Sequence, residues 1–451
     1  MTDMERLAAA GLFSRKVPRY TSYPTAPMFH DGIGPDTYAR WLGALPAGSQ
    51  LSVYVHIPFC IRLCWFCACR TQGVQSLDPV RSYLRSLMRE FEMVAAHLPA
   101  GVSVARIHWG GGTPTILPPD LITELASAIR QNLQMAADPD FSVEIDPTCA
   151  DPDKIAALAE SGLTRASIGV QDFDPLVQKT IGREQGFEVT RDIVEELRAA
   201  GVGSVNIDMV YGLPYQTPER FARTLDMTRA LSPDRIALFG YAHVPWMAKR
   251  QKMIPEAALP GPEARLALFR QAEAAFLADG HIALGIDHFA RPQDSLAVAA
   301  ANGRMKRNFQ GYTDDLCTAL IGFGASSIGN LPQGFVQNVS ATMGYHKAIE
   351  AGDLPVAKGL AFTLEDRVRG RAIETLMCDF EIDRAALAAT FGDMAALIDS
   401  DLAALAESYT GFVVDDGTCF RVTPEGRPLT RIIAAGLDAY QNGTARHSQA
   451  V

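Results

Sequence analysis

From about residue 50 to 245 the chain alternates short β-branched or aromatic runs with helical patterns, and few folds accept that rhythm. The strand-like runs are 51–57 (LSVYVHI), 104–109 (VARIHW), 141–145 (FSVEI), 164–170 (TRASIGV), 204–210 (SVNIDMV) and 234–240 (DRIALFG). Between them fall helical patterns at 79–97, 119–134, 152–161, 186–200 and 218–231, several opened by Pro or Asp and two closed by Gly162 and Gly201. Repeated βα units with short links imply parallel strands and right-handed crossovers, either doubly wound or barrel-like. Further strands are expected at 282–286 (IALGI) and near 319–325.

The polar side chains on those strands favour a barrel. Residues two apart on a strand share a face. Such faces carry Tyr54 and His56, Glu144 and Asp146, Ser167, Gly169 and Gln171, Asn206 and Asp208, and Tyr241 and His243. Buried polar groups are costly unless they bind something. Here they collect at the carboxyl ends of successive strands, where α/β barrels keep their active sites. A ligand cavity explains them better than an internal hydrogen-bond network.

Beyond about residue 355 helical segments near 363–377, 383–391 and 394–407 precede a strand pair around Asp415-Asp416-Gly417 and a helix from about 428 to 440. Asp-Gly between apolar runs is a hairpin signal. At the other end, residues 11–30 are irregular and carry Arg15, Lys16 and Arg19 without an acid. Forty-one basic against 51 acidic side chains give a net charge of −10, which argues against a general nucleic-acid binder. The start carries Asp3 and Glu5 where a secretory signal would carry cations. Residues 316–346 lack charge but are broken by Gly322, Gly324, Gly329, Pro332, Gly334 and Gly344, so buried strand and loops fit better than a membrane span. A cytoplasmic protein without membrane contact is expected.

Four of the eight cysteines fall within ten residues, directly after the first strand: Cys60, Cys64, Cys67 and Cys69. The spacing is C-x3-C-x2-C with one more Cys two positions on. Thiolates this close repel unless a metal neutralises them, and soft sulfur suits zinc or iron–sulfur centres. Zinc sites normally use two separated pairs, and ferredoxin clusters use four cysteines at other spacings. Three thiolates on one loop would hold three irons of a [4Fe–4S] cube and leave the fourth open, as catalysis needs.

This pattern resembles the signature of radical S-adenosylmethionine enzymes, with Phe66 just before the third Cys. Trp109-Gly110-Gly111-Gly112-Thr113-Pro114, after the second strand, resembles that superfamily's glycine motif. Within it, VPRYTSYPTA (17–26), YVHIPFC (54–60), HWGGGTPT (108–115), IGVQDF (168–173), GREQ (182–185), NIDMVYGLP (206–214), DHFAR (287–291) and RNFQGYT (307–313) resemble the oxygen-independent coproporphyrinogen III oxidases. The resemblance implies a partial (β/α)6-type radical SAM barrel over 49–350, an N-terminal arm and lead-in helix over 1–48, and a smaller, mainly helical C-terminal domain with a hairpin over 351–451.

It also implies roles. Cys60, Cys64 and Cys67 would ligate the cluster. Tyr54, Gly111, Glu144 and Ile328 would contact S-adenosylmethionine on its open iron; Phe66, Gly112, Thr113, Gln171, Arg183, Asp208 and Ala242 would hold a second molecule. The substrate implied is coproporphyrinogen III, oxidatively decarboxylated to protoporphyrinogen IX by a 5′-deoxyadenosyl radical in haem biosynthesis. Candidate partners for its propionates are Arg15, Lys16, Arg19, Arg62, Arg70, Arg183, Arg291, Lys306 and Arg307. A low-potential donor such as a flavodoxin or ferredoxin and a monomeric state are expected. A haem-binding chaperone and a radical methyltransferase acting on haem are the competing readings. The proline-stiffened arm is expected to lie across the barrel mouth.

Overall fold

Six parallel strands lie side by side in chain order in the computed structural model, which describes residues 2–441 and 450. They are β1 (Gln50–Ile57), β2 (Ser103–Gly111), β3 (Met135–Ile145), β4 (Arg165–Gln171), β5 (Ser204–Tyr211) and β6 (Arg235–Gly240). Each expected strand is present. The third begins earlier than its apolar run, because Met135 pairs with Val104 before a bulge sets Asp140 opposite Arg106. A seventh parallel strand, Ala319–Phe323, returns to the outer edge of β1. The sheet is extended there by antiparallel strands Ile328–Leu331, Gly334–Asn338 and Val356–Ala361. Beyond β6 it ends with His288–Ala290 and Ile282–Leu284, also antiparallel. The result is an open, partial barrel with helices on its outside.

Those helices bury one face. Asp78–Ala95 turns Val80, Leu84, Leu87, Phe91 and Val94 inward, all at i, i+3, i+4 spacing. Helices additional to the sequence expectation include Pro175–Ile181, Pro262–Ala278, Ser295–Ala301 and Thr342–Ala351, and 1–48 holds two helices, Asp3–Ala9 and Pro35–Gly43, where one was expected. Pro262–Ala278 has a physical reason for being hard to read. Leu268, Ala272 and Phe276 pack on the barrel core while Leu266 packs on the C-terminal lobe, so its apolar residues do not form one stripe.

The C-terminal lobe contains Leu364–Asp379, Arg384–Phe391 and Asp399–Ser408, with the hairpin Val413–Asp415 and Cys419–Val422 turning at Asp416-Gly417. Glu381–Asp383 adds a third strand to it. The helix expected over 428–440 is shorter: a 3-10 turn over Pro424–Leu429 leads into Thr430–Ala435, which stops at Gly436. The N-terminal arm belongs to this lobe. After a capped helix, Asp3–Ala9, the side chains of Leu12, Val17, Tyr20 and Tyr23 are buried with Val368, Leu376, Phe420 and Ile433. Among the described residues no helix is long and apolar enough to cross a membrane.

Candidate active site

The cysteine loop is fixed at both ends. Beyond β1 the chain forms a two-residue parallel bridge, Phe59–Cys60 with Gln72–Gly73, closed by Gln72 N to Pro58 O at 2.7 Å and Val74 N to Cys60 O at 3.0 Å. In the middle, Trp65 N donates to Ile181 O at 2.8 Å, and Trp65 and Phe66 pack with Val177, Ile181 and Tyr241. An apolar anchor thus holds the three thiols over the barrel mouth.

Cys60, Cys64 and Cys67 open on one cavity of about 490 Å³. Phe66, Gly111, Gly112, Thr113, Glu144, Gln171, Arg183, Asp208 and Ala242 line the same space. Tyr54 and Ile328 stand behind it. Tyr54 pairs in register with Gly322, and a side chain at Gly322 would run into the Ile328 carbonyl at 2.7 Å. Ile328 therefore sits one strand away from the other residues, packed beside Phe335 and Leu360.

Burial pushes the Cys60 thiol up to about 11, and raises Cys64 against the pull of Arg183. Hydrogen bonding from Cys69 holds Cys67 below the usual thiol range despite its burial. Two of the three sulfurs are thus protonated unless another cation takes the proton's place. Among the described residues no three His, Cys, Asp or Glu side chains converge tightly enough for a single metal ion. Spaced thiols around one void suit the separate corners of an iron–sulfur cube instead. The donor set fits that group and not a zinc knuckle.

The glycine run is sterically required. A Cβ at Gly112 would meet the Phe59 and Ile57 carbonyls at 2.6 and 2.8 Å, and one at Gly111, whose φ is +110°, would strike the His56 ring at 2.4 Å. Gly111 N donates to Glu144 Oε2 at 2.9 Å. Glu144 Oε1 lies 3.4 Å from His108 Nε2, and His108 stacks on Tyr54 with centroids 5.8 Å apart. Burial pushes the Glu144 carboxyl up, but His108, the Gly111 amide and His56 outweigh it and leave it below the usual range, so it is an anion. His56 Nε2 faces the Arg70 carbonyl at 3.1 Å and must donate, so His56 Nδ1 accepts from Tyr54 at 3.0 Å. Burial keeps His56 neutral in that tautomer.

Across the cavity, Asp208 accepts from Ser167 Oγ at 3.0 Å and Asn206 Nδ2 at 2.8 Å. Burial first, then Glu144, pushes it up. Gln171 has φ +68°, a left-handed conformation at the bulge ending β4 that a non-glycine residue rarely adopts; such strain gathers at functional sites. Arg183 donates to Gly169 O at 2.7 Å and pairs with Asp146 at 3.2 Å, leaving its buried Nε without a partner among the described residues. Gln251, which carries no sequence signal, donates to the carbonyls of Phe66 at 2.7 Å and Ala242 at 3.1 Å. His56 and His108 lay inside quoted motifs without being singled out as contacts.

The cations expected at propionates divide. Arg15 donates to Tyr409, Arg291 pairs with Asp279 and Lys306 with Glu374; Lys16 is exposed. Arg19 reaches the cavity and donates to Gly240 O at 2.6 Å. The arm packs in the C-terminal lobe through Tyr20 and Tyr23, sends Arg19 into the cavity and reaches the barrel sheet, where His30 N donates to Gly359 O at 2.9 Å.

Residues 54–228 match the Radical SAM superfamily and residues 362–429 the HemN C-terminal domain. An oxygen-independent coproporphyrinogen III oxidase of Cereibacter sphaeroides is 53% identical over 451 residues, covering 100% of both chains. One from Escherichia coli is 38% identical over 445 residues, 98% of this chain and 97% of its own. The solved coproporphyrinogen III oxidase (HemN) of Escherichia coli, described as a radical SAM enzyme, superposes with a TM-score of 0.89 at 36% identity, covering 94% of this chain and 100% of that one. Fold, site and full-length likeness agree, and the chain belongs to the oxygen-independent coproporphyrinogen III oxidase family of radical SAM enzymes.

Proposed function

We propose that the chain removes the carboxyl groups of two propionates of coproporphyrinogen III oxidatively and without oxygen, giving the two vinyl groups of protoporphyrinogen IX. The observation that carries this is that the three thiols of C-x3-C-x2-C and the polar strand-end residues open on one cavity. When bound, the cluster and S-adenosylmethionine supply a 5′-deoxyadenosyl radical that takes a hydrogen atom from a propionate β-carbon. Loss of CO2, with one electron passed from the substrate to a separate one-electron acceptor, would then leave the vinyl group.

The chain's own residues bind, orient and exclude. Cys60, Cys64 and Cys67 would hold three irons. Glu144, fixed as an anion by His108 and the Gly111 amide, is set to accept from a cationic amine or ribose hydroxyls. Tyr54 and Ile328 back that wall. The opposite wall, with Phe66, Gly112, Thr113, Gln171, Arg183, Asp208 and Ala242, would take a second S-adenosylmethionine. The unpartnered Arg183 Nε supports this, since a buried donor is costly until a ligand accepts from it. A barrel over 49–350 would carry the chemistry, with 1–48 and 351–451 as its cover. Exposed Ile61 and Leu63, with Arg62 between them on the cysteine loop, suit docking of a low-potential flavodoxin or ferredoxin. The working form is taken to be a monomer in the cytoplasm.

The test is anaerobic incubation of the reconstituted chain with coproporphyrinogen III, S-adenosylmethionine and a reductant, with product read by mass. Two carboxyl losses and 5′-deoxyadenosine formed in step with them are expected. Bound tetrapyrrole without turnover would instead favour a carrier, and methyl label in the product a methyltransferase.

A further inference from the structure

A second cavity, of about 370 Å³, adjoins the cysteine-lined one and shares Arg19 and Gly240 with it. Its volume lies at the lower end of the roughly 300–1,000 Å³ usual for ligand pockets. It opens where β5 and β6 end, at Tyr211 and Gly240, and the C-terminal lobe covers it with Pro428 and Arg431.

Charge sets it apart. Arg19, Arg265, Arg307 and Arg431 bring four guanidinium groups from four distant parts of the chain, and Asp287 is the carboxylate set among them. Glu273 and Glu425 also line the wall, and burial pushes Glu273 up, toward its neutral form. Two outer cations have partners already: Arg270 pairs with Asp3 at 2.5 Å, and Arg427 stacks on Phe380 at 4.6 Å.

Buried cations are normally paired or fully hydrogen-bonded. Arg431 satisfies this, donating to the carbonyls of Val17, Pro18 and Ala450. Arg307 does not. Its side chain is 4% exposed, yet Nε and Nη1 have no hydrogen-bond partner among the described residues. Asp287 Oδ1 is 3.9 Å from Nη1, beyond hydrogen-bond reach. Arg265, 8% exposed, donates from Nη2 to Tyr241 O at 2.7 Å and leaves Nε without a partner among the described residues. Burial and mutual repulsion lower Arg19 and Arg265 and push Arg431 down to about 9. Among the described residues the pocket has more guanidinium groups than carboxylates.

We propose that this cavity is a carboxylate subsite, which receives a non-reacting propionate of the tetrapyrrole while a reacting propionate faces the cysteine-lined cavity. The inference rests on the function proposed above. A guanidinium fork matches a carboxylate with two parallel hydrogen bonds, which an ester cannot accept as an anion. Shared walls at Arg19 and Gly240 let one substrate occupy both spaces.

The test is anaerobic equilibrium dialysis of coproporphyrinogen III against the cluster-loaded, full-length protein, with Arg307→Gln and Arg265→Gln beside the wild type. Each substitution should raise Kd at least about tenfold for the free acid and leave the tetramethyl ester's weaker binding unchanged. Unchanged Kd in both variants, or an equal loss for the ester, overturns the proposal. Hydrogen exchange on the wild type supplies a measurement independent of variant folding. Segments carrying Arg265, Arg307 and Arg431 should slow on binding coproporphyrinogen III; no change there overturns it. Succinate or inorganic phosphate giving the same protection would make this a general anion site and also overturn it. Failure of the wild type to decarboxylate would sink the functional reading while the dialysis result stood.

Discussion

Arg183 Nη1 lies 3.6 Å from Cys64 Sγ, although 119 residues separate the two in sequence. One guanidinium therefore touches both the sulfur expected on the cluster and the wall expected to hold a second cofactor. Arg183→Ala should still assemble the cluster, but at a more negative midpoint potential, because a positive charge has left the thiolate. Bound S-adenosylmethionine should fall from two to one per chain, and decarboxylation by roughly 10–150-fold, the equivalent of a lost charged hydrogen bond of about 1.5–3 kcal/mol. A wild-type stoichiometry of one would refute the two-cofactor arrangement.

Cys60→Ser, Cys64→Ser and Cys67→Ser should each abolish iron–sulfur absorbance and S-adenosylmethionine cleavage. Cys69→Ser should keep both, because a serine hydroxyl can still donate to Cys67 in place of the thiol and the backbone N–H, at 3.3 Å from that sulfur, is unchanged. Complete cluster loss in Cys69→Ser would point to a four-thiolate centre instead.

Glu144→Gln removes an anion that accepts from Gly111 N at 2.9 Å and neighbours His108. The Kd for S-adenosylmethionine, measured by dialysis on the reduced-iron-matched proteins, should rise about tenfold, or roughly 1.4 kcal/mol. Equal affinities would remove Glu144 from the binding wall.

Glu90 gives a pH signature remote from the chemistry. It is buried and accepts from Gly324 N at 2.7 Å, Asn338 Nδ2 at 2.6 Å and Tyr345 Oη at 2.6 Å, yet burial outweighs these bonds and pushes it up to about 7. A carboxyl raised on folding burdens the folded state when ionised. That burden is complete above pH 7, shrinks as pH falls through 7 and is gone below about 4.5. Relative to Glu90→Gln, the wild type should therefore gain roughly 1–3 kcal/mol between about pH 8.5 and 5.5, read from urea unfolding. Parallel pH profiles would show Glu90 to titrate normally.

Deleting residues 1–30 removes Leu7, Leu12, Val17, Tyr20 and Tyr23 from the C-terminal core. At about 1.5–3 kcal/mol per buried side chain that loss rivals a typical whole stability of roughly 5–15 kcal/mol, so the lobe should become protease-sensitive. Arg19→Ala should keep its melting temperature and raise KM for the tetrapyrrole about tenfold. A folded, active truncation would contradict the packing role.

The parallel strands were legible because β-branched runs between Gly- and Pro-bounded helices carry a strong local signal. So was the cysteine loop, since ligand spacing is written in sequence order. Gln251 was not: its importance arises from two carbonyls, Phe66 and Ala242, that only the folded chain brings to it. Arg265 and Arg431 were not legible either, because only the folded chain brings them to one cavity. The arm's anchorage was hidden for a related reason, because Tyr20 and Tyr23 are buried in one cluster with Val368 and Ile433, beyond any window of periodicity.

The bond from Arg431 to the Val17 carbonyl ties residues 414 positions apart. During synthesis the arm emerges first and its partners last, a delay of roughly 20–80 s at about 5–20 residues per second. For the last part of that delay, roughly 4–16 s between residue 350 and Arg431 at the same rate, the cysteine loop and the barrel mouth stand uncovered, and the cluster can be delivered before the cover exists. Nascent chains stalled near residue 350 should accordingly accept iron and sulfide while their first 30 residues remain open to protease. The order in which the ribosome releases the chain thereby becomes an order of assembly, metal first and closure afterwards.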